Sequence, residues 1–154
     1  MECIYFYKSN IGYFKIVIVD DYIINLHKVT TKEQNHGTSK ILTKVIKELD
    51  EYFKGERQNF TIPYKLKGTP FQMKVWNELS KIPYGQTRSY KDIAENINCP
   101  KGYRAVGLAN NKNPIAIIIP CHRVIGINGK LIGYRGGLET KEALLELEQK
   151  FSNK

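Results

Sequence analysis

The stretch from Asn113 to Val124 reads Asn-Pro-Ile-Ala-Ile-Ile-Ile-Pro-Cys-His-Arg-Val, and it limits the possible folds more than any other. Ala116 to Ile119 are all apolar and three of them are β-branched, which predicts a short, fully buried strand. Pro120 has no N–H to offer a sheet ladder, so the strand stops there. The chain leaves the interior at Cys121, followed at once by His122 and Arg123. Thiolate is the reactive form of cysteine and basic neighbours favour it, so Cys121 reads as an activated nucleophile. A free cysteine is also a common small buried hydrophobe, and adjacency to histidine does not choose between the two. Neighbours in extended backbone point to opposite faces. Cys121 and His122 therefore meet only if the chain turns or a water bridges them.

Charge is concentrated around this stretch. The chain has 154 residues and a formal charge of +9. Between Lys81 and Arg135 stand nine Lys or Arg against two acids, Asp92 and Glu95, so +7 of the total lies there. That bias points to a polyanionic partner, nucleic acid before an anionic membrane. No apolar run approaches a bilayer-spanning length and nothing resembles a signal peptide. Cys3, Cys99 and Cys121 have no zinc or disulfide spacing, so the expected setting is intracellular and reducing. Cys3, His27 and His36 make at most a partial ligand set, and no metal or other cofactor is expected. The length suits one core or two small lobes.

In chain order, Ile4–Tyr7, Tyr13–Val19 and Tyr22–Leu26 read as strands separated by turn residues. Ile41, Leu42, Val45, Ile46, Leu49 and Phe53 share one helical stripe, with Thr38 or Ser39 as cap. Gly55 ends that helix, and Asn59 to Leu66 gives another short strand. Thr69-Pro70 then opens a helix through Phe71, Val75, Trp76 and Leu79. Ser89 caps a helix with Tyr90, Ile93, Ala94 and Ile97. The turn Asn98 to Gly102 leads to a helix from Tyr103 to Asn110. Two helices around a short glycine turn, with Arg104 beside the small residues Ala105, Gly107 and Ala109, resemble a helix-turn-helix. Gly126, Asn128-Gly129 and Gly133 to Gly137 form a glycine-rich loop whose spacing fits no nucleotide-binding fingerprint. A last helix, about Glu139 to Phe151, is expected to bury Leu144, Leu145, Leu147 and Phe151.

Several short motifs occur in a fixed order: Tyr52-Phe53-Lys54-Gly55, Gly68-Thr69-Pro70-Phe71-Gln72, Val75-Trp76, Ile82-Pro83-Tyr84-Gly85 with Ser89-Tyr90, and Arg104-Ala105-Val106-Gly107. Ile119-Pro120-Cys121-His122-Arg123-Val124 and Gly133 to Leu138 with Lys141-Glu142 complete the set. Together, over about residues 52 to 147, they resemble the O6-alkylguanine-DNA alkyltransferases, the methylated-DNA–protein-cysteine methyltransferases. The resemblance implies an α+β fold. Residues 1–67 would form a ribonuclease H-like scaffold of small β-sheet plus helix. Residues 68–154 would form a mainly helical DNA-binding and catalytic lobe with the helix-turn-helix.

It also implies roles. A damaged guanine is swung out of duplex DNA, since its O6 cannot be reached in the stack, and its alkyl group passes irreversibly to Cys121. His122, through a water, takes the thiol proton, and Glu142 orients that histidine. Tyr90 protonates or hydrogen-bonds the departing guanine at N3. Asn113 ties the recognition helix to the active-site strand. Arg104 fills the gap left by the base, with Tyr103, Ala105, Gly107, Ser89 and Arg123 also on the DNA side. Val124, Tyr134, Arg135 and Ala116 line the base pocket; some members carry proline in place of Ala116 and serine in place of Arg135. The partner is double-stranded DNA containing O6-alkylguanine, met by a single-use monomer in the cytoplasm, or in the nucleus of a eukaryote. The competing readings are a lesion sensor without repair, a sequence-specific regulator with a redox-active Cys121, and a thiol hydrolase. The sensor relatives lack the cysteine, the regulator leaves Tyr90 and Glu142 unexplained, and the hydrolase needs an oxyanion hole and a substrate cleft of which the sequence has no sign.

Overall fold

Three β-rich segments pair in chain order. In the computed structural model, which describes residues 1–152, β1 (Glu2–Ser9), β2 (Gly12–Val19) and β3 (Tyr22–Val29) form an antiparallel meander. In β2 the alternation is plain: Phe14, Ile16 and Ile18 are buried and the residues between them are not. This is the period of two that a sheet with one packed face requires. Asp20 and Asp21, both at positive φ, make the turn between β2 and β3, a conformation that aspartate tolerates better than most residues. Helix α1 (Leu42–Phe53) buries Val45, Glu48, Leu49 and Tyr52.

Three expectations for this region need correction. The α1 N-cap is Ile41, with no side-chain capping bond; Ser39 accepts from the Ile41 N–H and donates to Asp21 instead. Asn59 to Leu66 is not a strand. It makes one bridge, Tyr64 to Ile23, and Pro63, just before Tyr64, has no N–H to extend a ladder. The run Ala116 to Ile119 is buried but is not a strand either. Only Ile115 bridges, to Leu26, flanked by Leu26 N–H to Pro114 O and Ala116 N–H to Leu26 O, each 2.8 Å. Ile117 then takes φ 70°, a left-handed value that a β-branched residue rarely adopts and that breaks any ladder.

The chain divides into two compact units, Met1–Leu66 with Pro114–Ala116, and Lys67–Asn113 with Ile117–Lys154. In the second, α2 (Pro70–Leu79) starts at the Thr69 cap with proline in its first turn, as the sequence predicts, and Gln72 completes a capping box with Thr69. It buries Val75, Trp76 and Leu79. The short strand β4 (Arg88–Ser89) pairs in parallel with β5 (Val124–Ile125). Ser89 also caps α3 (Tyr90–Asn96), through a second capping box with Asp92. A turn with Asn98 at positive φ leads to α4 (Tyr103–Asn111). Gly102 is required there, since a Cβ would stand 2.5 Å from Cys99 Sγ. Helix α4 packs against α2 and α3, and α5 (Leu138–Phe151) closes the described fold.

Candidate active site

Cys121, His122 and Arg123 form one turn of 3-10 helix between Pro120 and β5. The turn draws three adjacent side chains into the interior, where extended backbone would have alternated them. Cys121 is 5% exposed and His122 fully buried. The turn is held from α4, as Asn110 Nδ2 donates to Cys121 O at 3.3 Å. Asn113 Nδ2 donates to Ile119 O at 2.7 Å, and its side chain also hydrogen-bonds the Cys121 sulfur. Asn113 therefore joins the end of α4 to the cysteine turn, where the expected active-site strand is absent.

The partner of His122 is Glu148, not Glu142. His122 Nε2 lies 2.6 Å from Glu148 Oε2, whereas Glu142 is exposed to solvent. The reason is helical phase. α5 buries Thr140, Lys141, Leu144 and Glu148; Glu148 lies about 40° from Leu144 around the axis, and Glu142 about 160° away, on the opposite side. The expectation that Leu145, Leu147 and Phe151 would be buried fails with it, because all three are only half-buried.

Arg123 is likewise not on a DNA-facing surface. It is 6% exposed, and it forks onto Glu148 with Nε to Oε1 at 2.7 Å and Nη2 to Oε2 at 3.0 Å. Its Nη1 donates to Ile82 O at 2.7 Å. Gly85 N–H adds a weaker bond to Glu148 Oε1 at 3.3 Å. A buried carboxylate with this many donors is a firmly held anion. Burial pushes the Glu148 carboxyl up, but His122 and Arg123 outweigh it and hold it far below the usual carboxylate range.

His122 moves the other way. Burial pushes its pKa down, against the pull of Glu148, so the imidazole is neutral at pH 7 and Arg123 sustains the charge on Glu148. An ionised carboxylate can only accept, which assigns the His122 proton to Nε2 and leaves the Nδ1 lone pair free. Nδ1 is buried and has no hydrogen-bond partner in the protein. That is a general base waiting for a proton. Burial also pushes the Cys121 thiol up, and Asn113, Lys141 and Tyr134 pull against it without reversing the shift. At rest the sulfur is a protonated thiol, and the basic neighbours do not by themselves make it a thiolate.

Lys141, missed as a functional residue by sequence reasoning, is fully buried. Its Nζ donates to Ile132 O at 3.1 Å, Gly133 O at 3.2 Å and Tyr90 OH at 3.4 Å. Burial pushes its pKa down to about 8, with Cys121 opposing. Tyr90 donates its hydroxyl proton to Ile132 O at 2.6 Å, and burial raises its pKa to about 12. The Tyr134 hydroxyl is buried and faces the Cys121 thiol. Tyr90, Tyr134 and Lys141 thus surround the sulfur electrostatically, while Val124 is buried at the end of the turn.

On α4, Tyr103, Arg104 and Ala105 are exposed and Gly107 half-buried beside the Tyr90 ring. Ala109 faces inward, its carbonyl accepting from Trp76 Nε1 at 2.8 Å. The Ser89 hydroxyl oxygen is engaged as the α3 cap. Arg135 is exposed, and Ala116 is buried in the first unit. Among the described residues, no group of three or more His, Cys, Asp or Glu could hold a metal ion, and no helix is long and apolar enough to cross a membrane.

Comparison with known proteins gives the same picture. Residues 70–150 match the family model of the 6-O-methylguanine DNA methyltransferase DNA binding domain, and residues 4–66 that of its ribonuclease-like domain. A methylated-DNA–protein-cysteine methyltransferase of Methanosarcina acetivorans is 61% identical over 102 residues, 66% of this chain but only 65% of the relative's length. One from Mycolicibacterium paratuberculosis is 46% identical over 149 residues, or 94% of this chain and 90% of the relative. The crystal structure of Mycobacterium tuberculosis OGT in complex with DNA superposes with a TM-score of 0.87 at 45% identity, covering 95% of this chain and 92% of that one. The α+β architecture, with its antiparallel sheet and helical C-terminal part, is shared with that structure, and the chain belongs to the 6-O-methylguanine DNA methyltransferase family.

Proposed function

We propose that this protein repairs DNA by direct reversal, moving the O6-alkyl group of a flipped-out guanine to its own Cys121. The observation that carries the reading is the chain Cys121, His122, Glu148, in which a neutral, correctly tautomeric base stands next to a protonated thiol. His122 Nδ1, through a water, takes the thiol proton as the base arrives, and Glu148, kept ionised by Arg123, stabilises the imidazolium that forms. The sulfur attacks the alkyl carbon; the S–C bond forms, the C–O6 bond breaks and its electron pair stays on the purine. Tyr90, with the Lys141 ammonium beside its hydroxyl, gives a proton to the departing guanine. To do so it releases the Ile132 carbonyl. The thioether has no route back to thiol, so each molecule acts once, as a methylated-DNA–protein-cysteine S-methyltransferase without a cofactor.

The partner is duplex DNA, gripped by the helix-turn-helix of α3 and α4. Arg104, Tyr103 and Ala105 are exposed on α4, where Arg104 enters the gap left by the base and the small Ala105 and Gly107 allow close approach. Residues 68–154 carry recognition and chemistry, and 1–67 serve as scaffold. Val124, Tyr134 and Arg135 line the base pocket. Asn113, through Ile119 and the sulfur, couples α4 to the cysteine. The working place is the genome, in the cytoplasm of a prokaryote or the nucleus of a eukaryote, and the working form is a monomer.

The test is an intact-protein and peptide mass spectrum after mixing with duplex DNA containing O6-methylguanine. One methyl on Cys121 at one-to-one stoichiometry, with Cys3 and Cys99 unchanged, is expected. Tight lesion binding without a mass change would make the protein a sensor.

A further inference from the structure

Tyr90 has a second surroundings besides the reaction centre. With Lys91, Tyr103, Gly126, Ile127 and Ile132 it lines a cavity of about 310 Å³. Three of these residues are large, apolar and open to solvent: Ile127 is 75% exposed, Ile132 52% and Tyr103 49%. Ile127 is not there through looseness. Gly126 N–H donates to Lys130 O at 2.8 Å, Gly129 N–H to Gly126 O at 2.9 Å, and Lys130 N–H to Asn128 Oδ1 at 3.3 Å. Gly129 has φ 80°. A closed turn therefore holds an isoleucine out in water, where it gains nothing for folding and costs solubility. Clustered apolar exposure of this kind marks a contact surface.

The occupant is read from charge and from position. Lys91 lines the cavity and is exposed, and Lys130, also exposed, is in the turn that carries Ile127. Cations alternating with apolar surface match a nucleic-acid strand, whose phosphates alternate with apolar deoxyribose faces. Tyr90 belongs both to this cavity and to the electrostatic surroundings of Cys121, so whatever fills the cavity lies next to the base being repaired. We infer that Ile127, Ile132 and Tyr103 form an apolar shelf for the sugar-phosphate backbone of the extruded nucleotide, with Lys91 and Lys130 on the flanking phosphates. The shelf stabilises the nucleotide once it is out of the helix. This rests on the repair reading and extends it to residues that take no part in the chemistry.

The experiment measures binding of the full chain to duplexes with and without O6-methylguanine over a range of salt, for the parent protein, Ile127→Ser and Lys130→Ala. Ile127→Ser should weaken binding to the lesion duplex roughly five- to tenfold and leave the salt dependence unchanged, because no counterion is released at an apolar contact. Lys130→Ala should lower the salt slope by about one. With free O6-methylguanine base in place of DNA, Ile127→Ser should be alkylated at the parent rate. Parental binding by Ile127→Ser to both duplexes overturns the shelf, and so does a change in its self-association with no change on DNA. The parent's mass shift at Cys121 is read in the same samples, so failure of the repair reading is seen separately.

Discussion

Replacing Glu148 by glutamine tests the site at its most informative atom. The carboxylate accepts from His122 Nε2, Arg123 Nε and Nη2, and Gly85 N–H. Glutamine offers one acceptor oxygen and an NH2 group, so it cannot satisfy both the imidazole and the guanidinium. If the oxygen stays with Arg123, the amide donates to His122 Nε2, and the imidazole proton moves to Nδ1. The base is then in the wrong tautomer. The corresponding carboxylate-to-amide change in a serine-protease triad lowers the rate about ten-thousand-fold, and a loss of roughly a thousand- to ten-thousand-fold is expected here. Removing one partner of a buried ion pair costs about 3–5 kcal/mol, or roughly 6–20 °C of melting temperature for a chain of this size. The assay is single-turnover methyl transfer from O6-methylguanine duplex, quenched at timed intervals and read as the mass of the Cys121 peptide, beside urea melts. Glu142→Gln is the control: its side chain is exposed, and both rate and stability should stay within about 0.5 kcal/mol of the parent. Equal transfer rates for the two variants would refute the assignment. There is also a pH signature. Glu148 is held below its ordinary value in the fold, so its contribution is complete above about pH 4.3 and drains away as the pH falls below it. Glu148→Gln should lack that part of the acid destabilisation.

The other predictions use the same geometry. His122 must be neutral to act, and burial holds it below its ordinary value; the acid limb of the transfer rate should therefore lie below pH 6.5, and a limb above that value in a pH series would count against a buried base. The native protein should react with iodoacetamide at Cys99, which is half-buried, before Cys121, which is buried and protonated, as peptide mapping at short times would show. Arg123→Met should lower stability by about 3–5 kcal/mol in urea melts, whereas Arg104→Ala, on an exposed face of α4, should leave the melt within about 0.5 kcal/mol and weaken DNA binding. Lys141 has a folded pKa near 8, below the ordinary lysine value, so the unfolded chain holds the proton longer. Stability should therefore gain a rising contribution between about pH 8 and 10.4, absent in Lys141→Met when melts are compared across that range.

Much of the fold was legible because local signals and burial agree. The alternation in β2, the Thr69-Pro70 and Ser89 helix starts and the turn at Gly102 are satisfied by neighbours within a few residues. Where long-range contacts decide, the sequence misled. The isoleucine run has β propensity, yet Pro114 and Pro120 bracket it and Ile117 bends at positive φ, so burial was legible and conformation was not. In α5 the leucines suggested the buried face, but the face that is buried carries Lys141 and Glu148. A charged residue reads as a solvent residue until its partners are known, and the deciding ones lie far away in the chain, Arg123 and His122 for Glu148 and Tyr90 for Lys141, whose other partners are the nearer Ile132 and Gly133 carbonyls. The one local signal was spacing. Lys141, Leu144 and Glu148 share a helical stripe that excludes Glu142.

That buried polar stripe also explains why Arg123 follows His122 in the chain. In a 3-10 turn, successive side chains lie about 120° apart, so Cys121, His122 and Arg123 reach three directions from one short segment. One carboxylate then meets two of them, and the guanidinium supplies a permanent charge that keeps Glu148 ionised while His122 stays neutral. Had the segment been extended, His122 and Arg123 would point to opposite faces and no single carboxylate could serve both. The 3-10 turn thus makes a buried base that is neutral, tautomerically fixed and idle until a substrate brings the sulfur an alkyl carbon to attack.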